Sequence, residues 1–338
     1  MLGAGELGTA VLTSLANKKT PTTTISVLLR PSAIESLSPY KAADISALRA
    51  LGISILPGDI ASSAIRDLSA LFKPYDLIIS CLGFASGPGS QLKIARAVLD
   101  AGAKTPAPWQ FGVDYDIIER GSAQDSLDEQ LDVRDLLRAQ EPTSKGDNGT
   151  EWIIISTGMF TSFLFESCFG VVDLEGEGGH GRGVVRALGG WDNKVTVTTP
   201  EDIGQLTAVI VLKEPKARNE VVYTAGETIT YRSLADLVDQ FRGEGNPVRR
   251  EEWSLGFLKE ELKRRPEDTV QKYRVVFAEG KGVAWDLKNS FNWKNGIGVD
   301  DVKTWMANNL ARKLNGQYPF RTLCTRTAVC LYTVPRHP

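Results

Sequence analysis

Gly3-Ala4-Gly5-Glu6-Leu7-Gly8 has the spacing G-x-G-x-x-G and leads straight into the helix-forming residues 9–16. A dinucleotide-binding turn needs glycine three times at this spacing: for the tight turn, for close approach of backbone N–H groups to a pyrophosphate, and for close helix-on-strand packing. Gly3, Gly5, Glu6, Leu7 and Gly8 are therefore candidate cofactor-binding residues, against the alternative of an ordinary glycine-rich turn. The next apolar run ends at Leu29-Arg30, roughly where a ribose-recognising residue belongs. An acidic residue there would accept from a ribose 2′-hydroxyl and repel a 2′-phosphate. Arg30 does the reverse, which favours NADPH over NADH, unless it is only a solvated arginine at a strand end. A third contact is expected at Ser80-Cys81-Leu82-Gly83, where the chain leaves a strand through a small-residue turn. The carboxyl edge of an open sheet is where the ligand crevice lies. An ordinary strand-to-loop glycine is the alternative.

These residues need a sheet to hold them. Up to residue 156 the chain alternates short apolar runs with helix-period segments, the pattern of a parallel sheet covered on both faces. The runs are Ile25-Ser26-Val27-Leu28-Leu29, Ile53-Ser54-Ile55-Leu56, Asp76-Leu77-Ile78-Ile79-Ser80 and Trp152-Ile153-Ile154-Ile155; helices are expected at 9–16, 44–51, 63–72, 91–101 and 126–140. The expected fold is α/β, a Rossmann-type doubly wound parallel sheet over 1–156, followed by a smaller, mostly helical C-terminal substrate lobe over 157–316. Within that lobe the chain predicts a glycine-rich stretch at 176–190, a polar strand at 194–199, a helix opened by Pro200-Glu201-Asp202, and a helical block over 231–265. The glycine-rich stretch, with His180, reads as a plain connection or a mobile flap. Only Met1 and Leu2 precede Gly3, so the first strand is expected to be cut short; 317–338 reads as an irregular tail.

Composition removes several classes. With 39 basic and 41 acidic side chains the net charge is −2, which argues against nucleic acid as the main partner. Four cysteines share no metal-ligand spacing and only two histidines exist, so a zinc site or a histidine-dependent hydrolase lacks raw material. No run approaches a membrane span, and the first residues carry neither a basic leader nor an apolar stretch. A cytoplasmic protein without membrane contact is expected.

The order of the glycine loop, Val27-Leu28-Leu29-Arg30, Gly58-Asp59, Asp76-Leu77-Ile78-Ile79-Ser80 and Trp109-Gln110-Phe111-Gly112-Val113-Asp114 resembles the atypical short-chain dehydrogenases of the isoflavone reductase and phenylcoumaran benzylic ether reductase group. NmrA-like proteins belong to the same set. The resemblance covers roughly residues 3 to 310. Its most specific pieces are 110–114, similar to the family's P-S-E-F-G, and Glu201-Asp202-Ile203-Gly204, similar to its E-D-I-G helix start. It implies an NADPH-binding domain, with Gln110 and Phe111 near the cofactor, and a lobe for small aromatic or conjugated substrates.

The departures bear on chemistry. No Tyr-x-x-x-Lys occurs, so the tyrosine whose pKa a lysine lowers is missing. The resemblance places a lysine on the helix after P-S-E-F-G as proton donor or base; Gln130 stands at that position. Glutamine hydrogen-bonds but does not titrate. Asp114, Tyr115 and Asp116 are the nearest titratable candidates, with Asp114 the first, unless they form a solvated capping loop. Met159, Phe160 and Phe163, directly after the 152–155 run, suit the wall for a flat apolar ligand or packing in the core. Two functions fit: an NADPH-dependent reductase of a small aromatic or conjugated ketone, enone, imine or quinone in specialised metabolism, or an NmrA-like dinucleotide sensor that signals to a protein partner without turnover. A homodimer is compatible with either.

Overall fold

The computed structural model describes residues 1–83, 86–103, 105–140, 150–175, 182–213, 217–243 and 245–314. The tail expected at 317–338, and 176–181 with His180, lie outside them. The chain forms two compact units: Met1–Phe111, Glu129–Ser156 and Pro200–Val222 make unit 1; Gly112–Asp128, Thr157–Thr199 and the chain from Tyr223 make unit 2. One unit boundary falls at 156/157. Two segments cross that division because of what they bind, as follows.

Unit 1 contains α1 (Glu6–Lys18), β1 (Ile25–Leu29), α2 (Pro31–Ile34), α3 (Pro39–Ala50), β2 (Ile53–Pro57), α4 (Ile65–Phe72), β3 (Leu77–Ile79), α5 (Ser90–Asp100), β4 (Thr105–Ala107), most of α7 (Ser126–Arg138), β5 (Ile153–Ser156), α8 (Pro200–Leu212) and β10 (Glu220–Tyr223). β1 pairs in parallel with β2 from Ile25↔Ile53 to Leu29↔Pro57, and β3 with β4 from Leu77↔Thr105 to Ile79↔Ala107. Leu2 joins these pairs through parallel bridges to Leu28 and Ser80. Its N–H donates to Ile79 O and its C=O accepts from Cys81 N–H, both at 2.9 Å. Two residues before Gly3 thus hold the central place in the order β2, β1, Leu2, β3, β4. Helices cover the apolar strands, as parallel sheets require. Leu68 and Phe72 of α4, one helical turn apart, pack with Ile94 and Val98 of α5 against Leu2, Leu28 and Ile78. Each such buried side chain contributes about 1.5–3 kcal/mol. Segment 200–222 joins this unit because α8 lies on α1, so closely that a Cβ on Gly204 would come within 2.6 Å of the Ala10 backbone, and because β10 pairs with β5. No reading of the sequence marked β4: Pro106 fills the middle of a three-residue strand and hides it.

Unit 2 contains α6 (Tyr115–Ile118), β6 (Met159–Phe160), β7 (Val172–Asp173), β8 (Val184–Leu188), β9 (Lys194–Thr198), β11 (Glu227–Thr230), α9 (Tyr231–Arg242), β12 (Arg249–Trp253), α10 (Leu255–Arg264), α11 (Thr269–Glu279), α12 (Phe291–Lys294) and α13 (Val302–Leu314). Its strands form two sheets, ordered β11-β9-β6 and β12-β8-β7. β12 interrupts the helical block expected over 231–265; Arg249-Arg250-Glu251-Glu252 lacks the apolar alternation of a half-buried strand, and only parallel pairing with β8 makes it one. Segment 112–128 joins this unit because Gly112 O accepts from Thr157 N–H and Gly158 N–H, at 3.0 and 2.9 Å, while Asp114 N–H donates to Gly282 O at 2.8 Å. No helix among the described residues is long and apolar enough to cross a membrane.

Candidate active site

The three glycines of the loop have three different surroundings. Gly3 has φ +84°, and a Cβ there would lie 2.7 Å from Leu82 Cδ2. A Cβ on Gly8 would lie 2.4 Å from Gly3 O and 3.4 Å from Cys81 Cβ, so α1 can approach the turn only through a glycine. A Cβ on Gly5 would meet no atom within 4 Å. Turn, helix packing and an open approach to backbone are the three requirements of a pyrophosphate cradle. Glu6 and Leu7 start α1, whose N-cap residue Gly5 has no side chain to cap it and whose first turn carries one carboxylate, Glu6. Among the described residues this geometry fits a dinucleotide.

Arg30 directly follows β1, is exposed, and has no ion-pair partner among the described residues. Ser80 ends the β3 side of the crevice, its N–H donating to Ala107 O at 2.9 Å and its buried Oγ without a hydrogen-bond partner. Burial pushes the Cys81 thiol up to about 12, so it stays protonated and unreactive. Leu82 O accepts from Gln91 Nε2 at 2.7 Å, and Gly83 lies under the Trp109 ring, 3.3 Å from where a Cβ would stand.

Gln110 and Gln130 come together in unit 1. Gln110 follows β4, is wholly buried, and donates from Nε2 to Gln130 O at 2.9 Å. Its Oε1 accepts from Arg134 Nε at 2.7 Å, and Arg134 Nη2 reaches Ser156 Oγ at 3.5 Å. Phe111 is buried beside it in sequence. Gln130 has zero exposure, and neither Nε2 nor Oε1 of its side chain has a hydrogen-bond partner. Glu129 caps α5, its carboxylate accepting from the N–H groups of Gly89, Gln91 and Leu92 at 2.7 to 3.0 Å. Sequence reasoning missed Arg134 and Glu129. Arg134 stands one position after the buried Val133 and three before Leu137, and a cation on the apolar face of a helix is the signal that marks it.

In unit 2 Asp114 is 6% exposed and caps α6 through Oδ1, which accepts from Ile117 N–H at 3.3 Å. Its Oδ2 accepts from Tyr223 Oη at 2.7 Å. The Tyr223 ring meets that of Trp285 edge to face with centroids 5.3 Å apart. The capping role proposed as the alternative for this loop is thus present, together with a tyrosine that lies 109 positions away and that no local pattern reveals. Tyr115 is buried, its hydroxyl 3.0 Å from where a Cβ on Gly112 would stand, and Asp116 is half-buried. Met159 is buried in β6, Phe160 is half-buried, and Phe163 packs on Phe169 with ring centroids 4.5 Å apart. Met159 and Phe163 therefore contribute to the packing of this unit. No cluster of side chains suited to a metal ion occurs among the described residues.

The profile of the NmrA-like family matches residues 2–318. The chain belongs to the NmrA-like family. An NmrA-like family domain-containing oxidoreductase of Gibberella moniliformis (strain M3125 / FGSC 7600) is 48% identical over 308 residues, covering 90% of this chain and 96% of the relative. Among solved structures, isoflavone reductase superposes with a TM-score of 0.69 at 18% identity, over 91% of this chain and 97% of that one. The NADPH complex of the NADPH-dependent quinone oxidoreductase QOR2 from Escherichia coli gives 0.67 at 19%, over 91% and 98%. AtPrR2 with NADP+ and (+)pinoresinol gives 0.69 at 15%, over 90% and 96%. At these identities the structures share the fold of this NmrA-like chain, a Rossmann-type α/β architecture.

Proposed function

We propose that this NmrA-like protein is a cytoplasmic NADPH-dependent reductase of a small aromatic or conjugated ketone, enone, imine or quinone, acting in specialised metabolism. The observation that carries the reading is the glycine loop, in which Gly3 and Gly8 are fixed by close contacts while Gly5 faces open space. The oxidoreductase relative and the NADPH-binding neighbours support it. When bound, NADPH supplies a hydride to the electrophilic carbon of the substrate. The loop N–H groups and the start of α1 hold the pyrophosphate, and Arg30 pairs with the 2′-phosphate. Gln130 offers hydrogen bonds without titrating. In unit 2, Asp114 Oδ2 accepts from the Tyr223 hydroxyl and fixes the orientation of that group. Phe160 and Phe163, both half-buried in unit 2, are the candidate apolar contacts for the substrate.

The test is turnover of NADPH and of NADH against a panel of quinones and enones. Consumption of NADPH with at least one of them, and a clear preference over NADH, is expected. The second reading, a dinucleotide sensor without turnover, is favoured by Gln130, a neutral side chain at the position where the resemblance calls for a lysine. It predicts tight NADPH binding with no member of the panel reduced.

A further inference from the structure

Gln130 presents a chemical oddity: a primary amide at zero exposure whose donor and acceptor are both unmatched. Buried polar groups are nearly always paired, and an amide that pairs neither end is costly to keep. Its place in unit 1 is fixed from two sides. Its backbone oxygen accepts from Gln110, which lies three positions beyond the carboxyl end of β4. Its neighbour Glu129 holds the start of α5, the helix that follows the carboxyl end of β3. This turn of α7 therefore sits at the carboxyl ends of β3 and β4, while Arg30 sits at that of β1, across Leu2 in the sheet order.

A dinucleotide lies across such a crevice. With its 2′-phosphate at Arg30 and its pyrophosphate at the glycine loop, its other end runs toward β3 and β4. That end carries a primary carboxamide, one acceptor oxygen and one donor nitrogen, and the complement of a primary amide is another primary amide. We propose that Gln130 reads the nicotinamide carboxamide, Nε2 donating to its oxygen and Oε1 accepting from its nitrogen. The proposal requires that the unpartnered Gln130 amide turn about its side-chain torsions to meet the bound dinucleotide. The inference rests on the dinucleotide reading above and adds to it a residue that orients the nicotinamide ring.

The experiment is calorimetric titration of the full chain with three probes: NADP+, its 3-acetylpyridine analogue, in which methyl replaces the amide nitrogen, and 2′-phospho-ADP-ribose, which lacks the nicotinamide. The parent is expected to bind NADP+ roughly tenfold more tightly than the acetylpyridine analogue, the loss of one buried hydrogen bond. Gln130→Met is expected to weaken NADP+ about tenfold or more, to erase the preference, and to leave 2′-phospho-ADP-ribose unchanged. Equal affinity of the parent for NADP+ and the analogue, or a Met variant that keeps the full preference, overturns the proposal. If Gln130→Met loses 2′-phospho-ADP-ribose as well, it has lost its fold, and the parent's own preference decides. Failure of the parent to bind both NADP+ and 2′-phospho-ADP-ribose is a different result, which overturns the dinucleotide reading and this proposal with it.

Discussion

Arg134 donates from Nε to Gln110 Oε1 across 2.7 Å, with both side chains at zero exposure. The bond ties α7 to the segment that leaves β4, and it places Gln110 so that Nε2 can hold Gln130 O. Gln110→Leu removes the acceptor from a buried guanidinium N–H, which costs about 1.5–3 kcal/mol for a bond to a charged group. A lower denaturant midpoint at unchanged slope is the expected reading. A midpoint equal to the parent's would show that the bond contributes nothing.

The loop glycines separate fold from binding. Gly8→Ala places a Cβ 2.4 Å from Gly3 O, backbone that cannot step aside, so lowered thermal stability and lost dinucleotide binding are expected together. Gly5→Val meets no protein atom at its Cβ and should keep its far-UV circular dichroism and melting temperature while losing dinucleotide affinity. Retained affinity in the Gly5 variant would make the motif a packing turn.

Arg30 is exposed and follows the carboxyl end of β1. A charge-assisted pair with a 2′-phosphate predicts that Arg30→Ala weakens NADPH by on the order of 1.5–3 kcal/mol and leaves NADH nearly unaffected. Parallel titrations with both dinucleotides check this, and an equal loss for the two would remove Arg30 from the phosphate site.

Cys81 gives a pH prediction. Burial holds its thiol up at about 12 in the folded protein, above the ordinary thiol value of about 8.5. A raised folded value means that the contribution to stability is fully present below about pH 8.5 and is lost as pH rises toward 12. The parent's melting temperature should therefore fall more steeply than that of Cys81→Ala between about pH 9 and 11. Iodoacetamide at neutral pH should label Cys81 far more slowly in the native protein than after denaturation, because a half-buried thiol held protonated is a poor nucleophile. Equal labelling rates before and after denaturation would contradict the raised thiol value.

Much of unit 1 was legible because its strands are apolar on both faces and its helices keep a 3.6-residue period; β1 stands at Ile25–Leu29 as the composition of that run suggests. The glycines at 3 and 8 were legible because each answers a local backbone requirement, a positive φ at Gly3 and close packing at Gly8; nothing in the protein itself requires glycine at position 5. β4, with Pro106 at its centre, and β12, with four charged residues, were not, because pairing partners rather than local pattern make them strands. Asp114 was visible as a candidate, but its partner Tyr223 was not, since the bond between them spans 109 positions and depends on tertiary packing. The Gln110–Arg134 bond was hidden for the same reason: spacing shows that a charge lies on a helix face, not what satisfies it.

Hydride transfer itself is the central claim, and isotope tracing tests it most directly. NADPH carrying deuterium at C4 of the nicotinamide, in separate pro-R and pro-S preparations, is mixed with this protein and each quinone or enone of the panel. The enone products are read by mass spectrometry, and for the quinones, whose hydroquinone O–D exchanges with water, the deuterium delivered is read as its loss from the NADP+ formed. The account predicts delivery of deuterium from one of the two preparations and not the other, which for an enone is a product one mass unit heavier at a carbon whose hydrogen does not exchange with water. Tight binding of NADPH, with no deuterium delivered to any member of the panel, would contradict it and leave the dinucleotide sensor as the function.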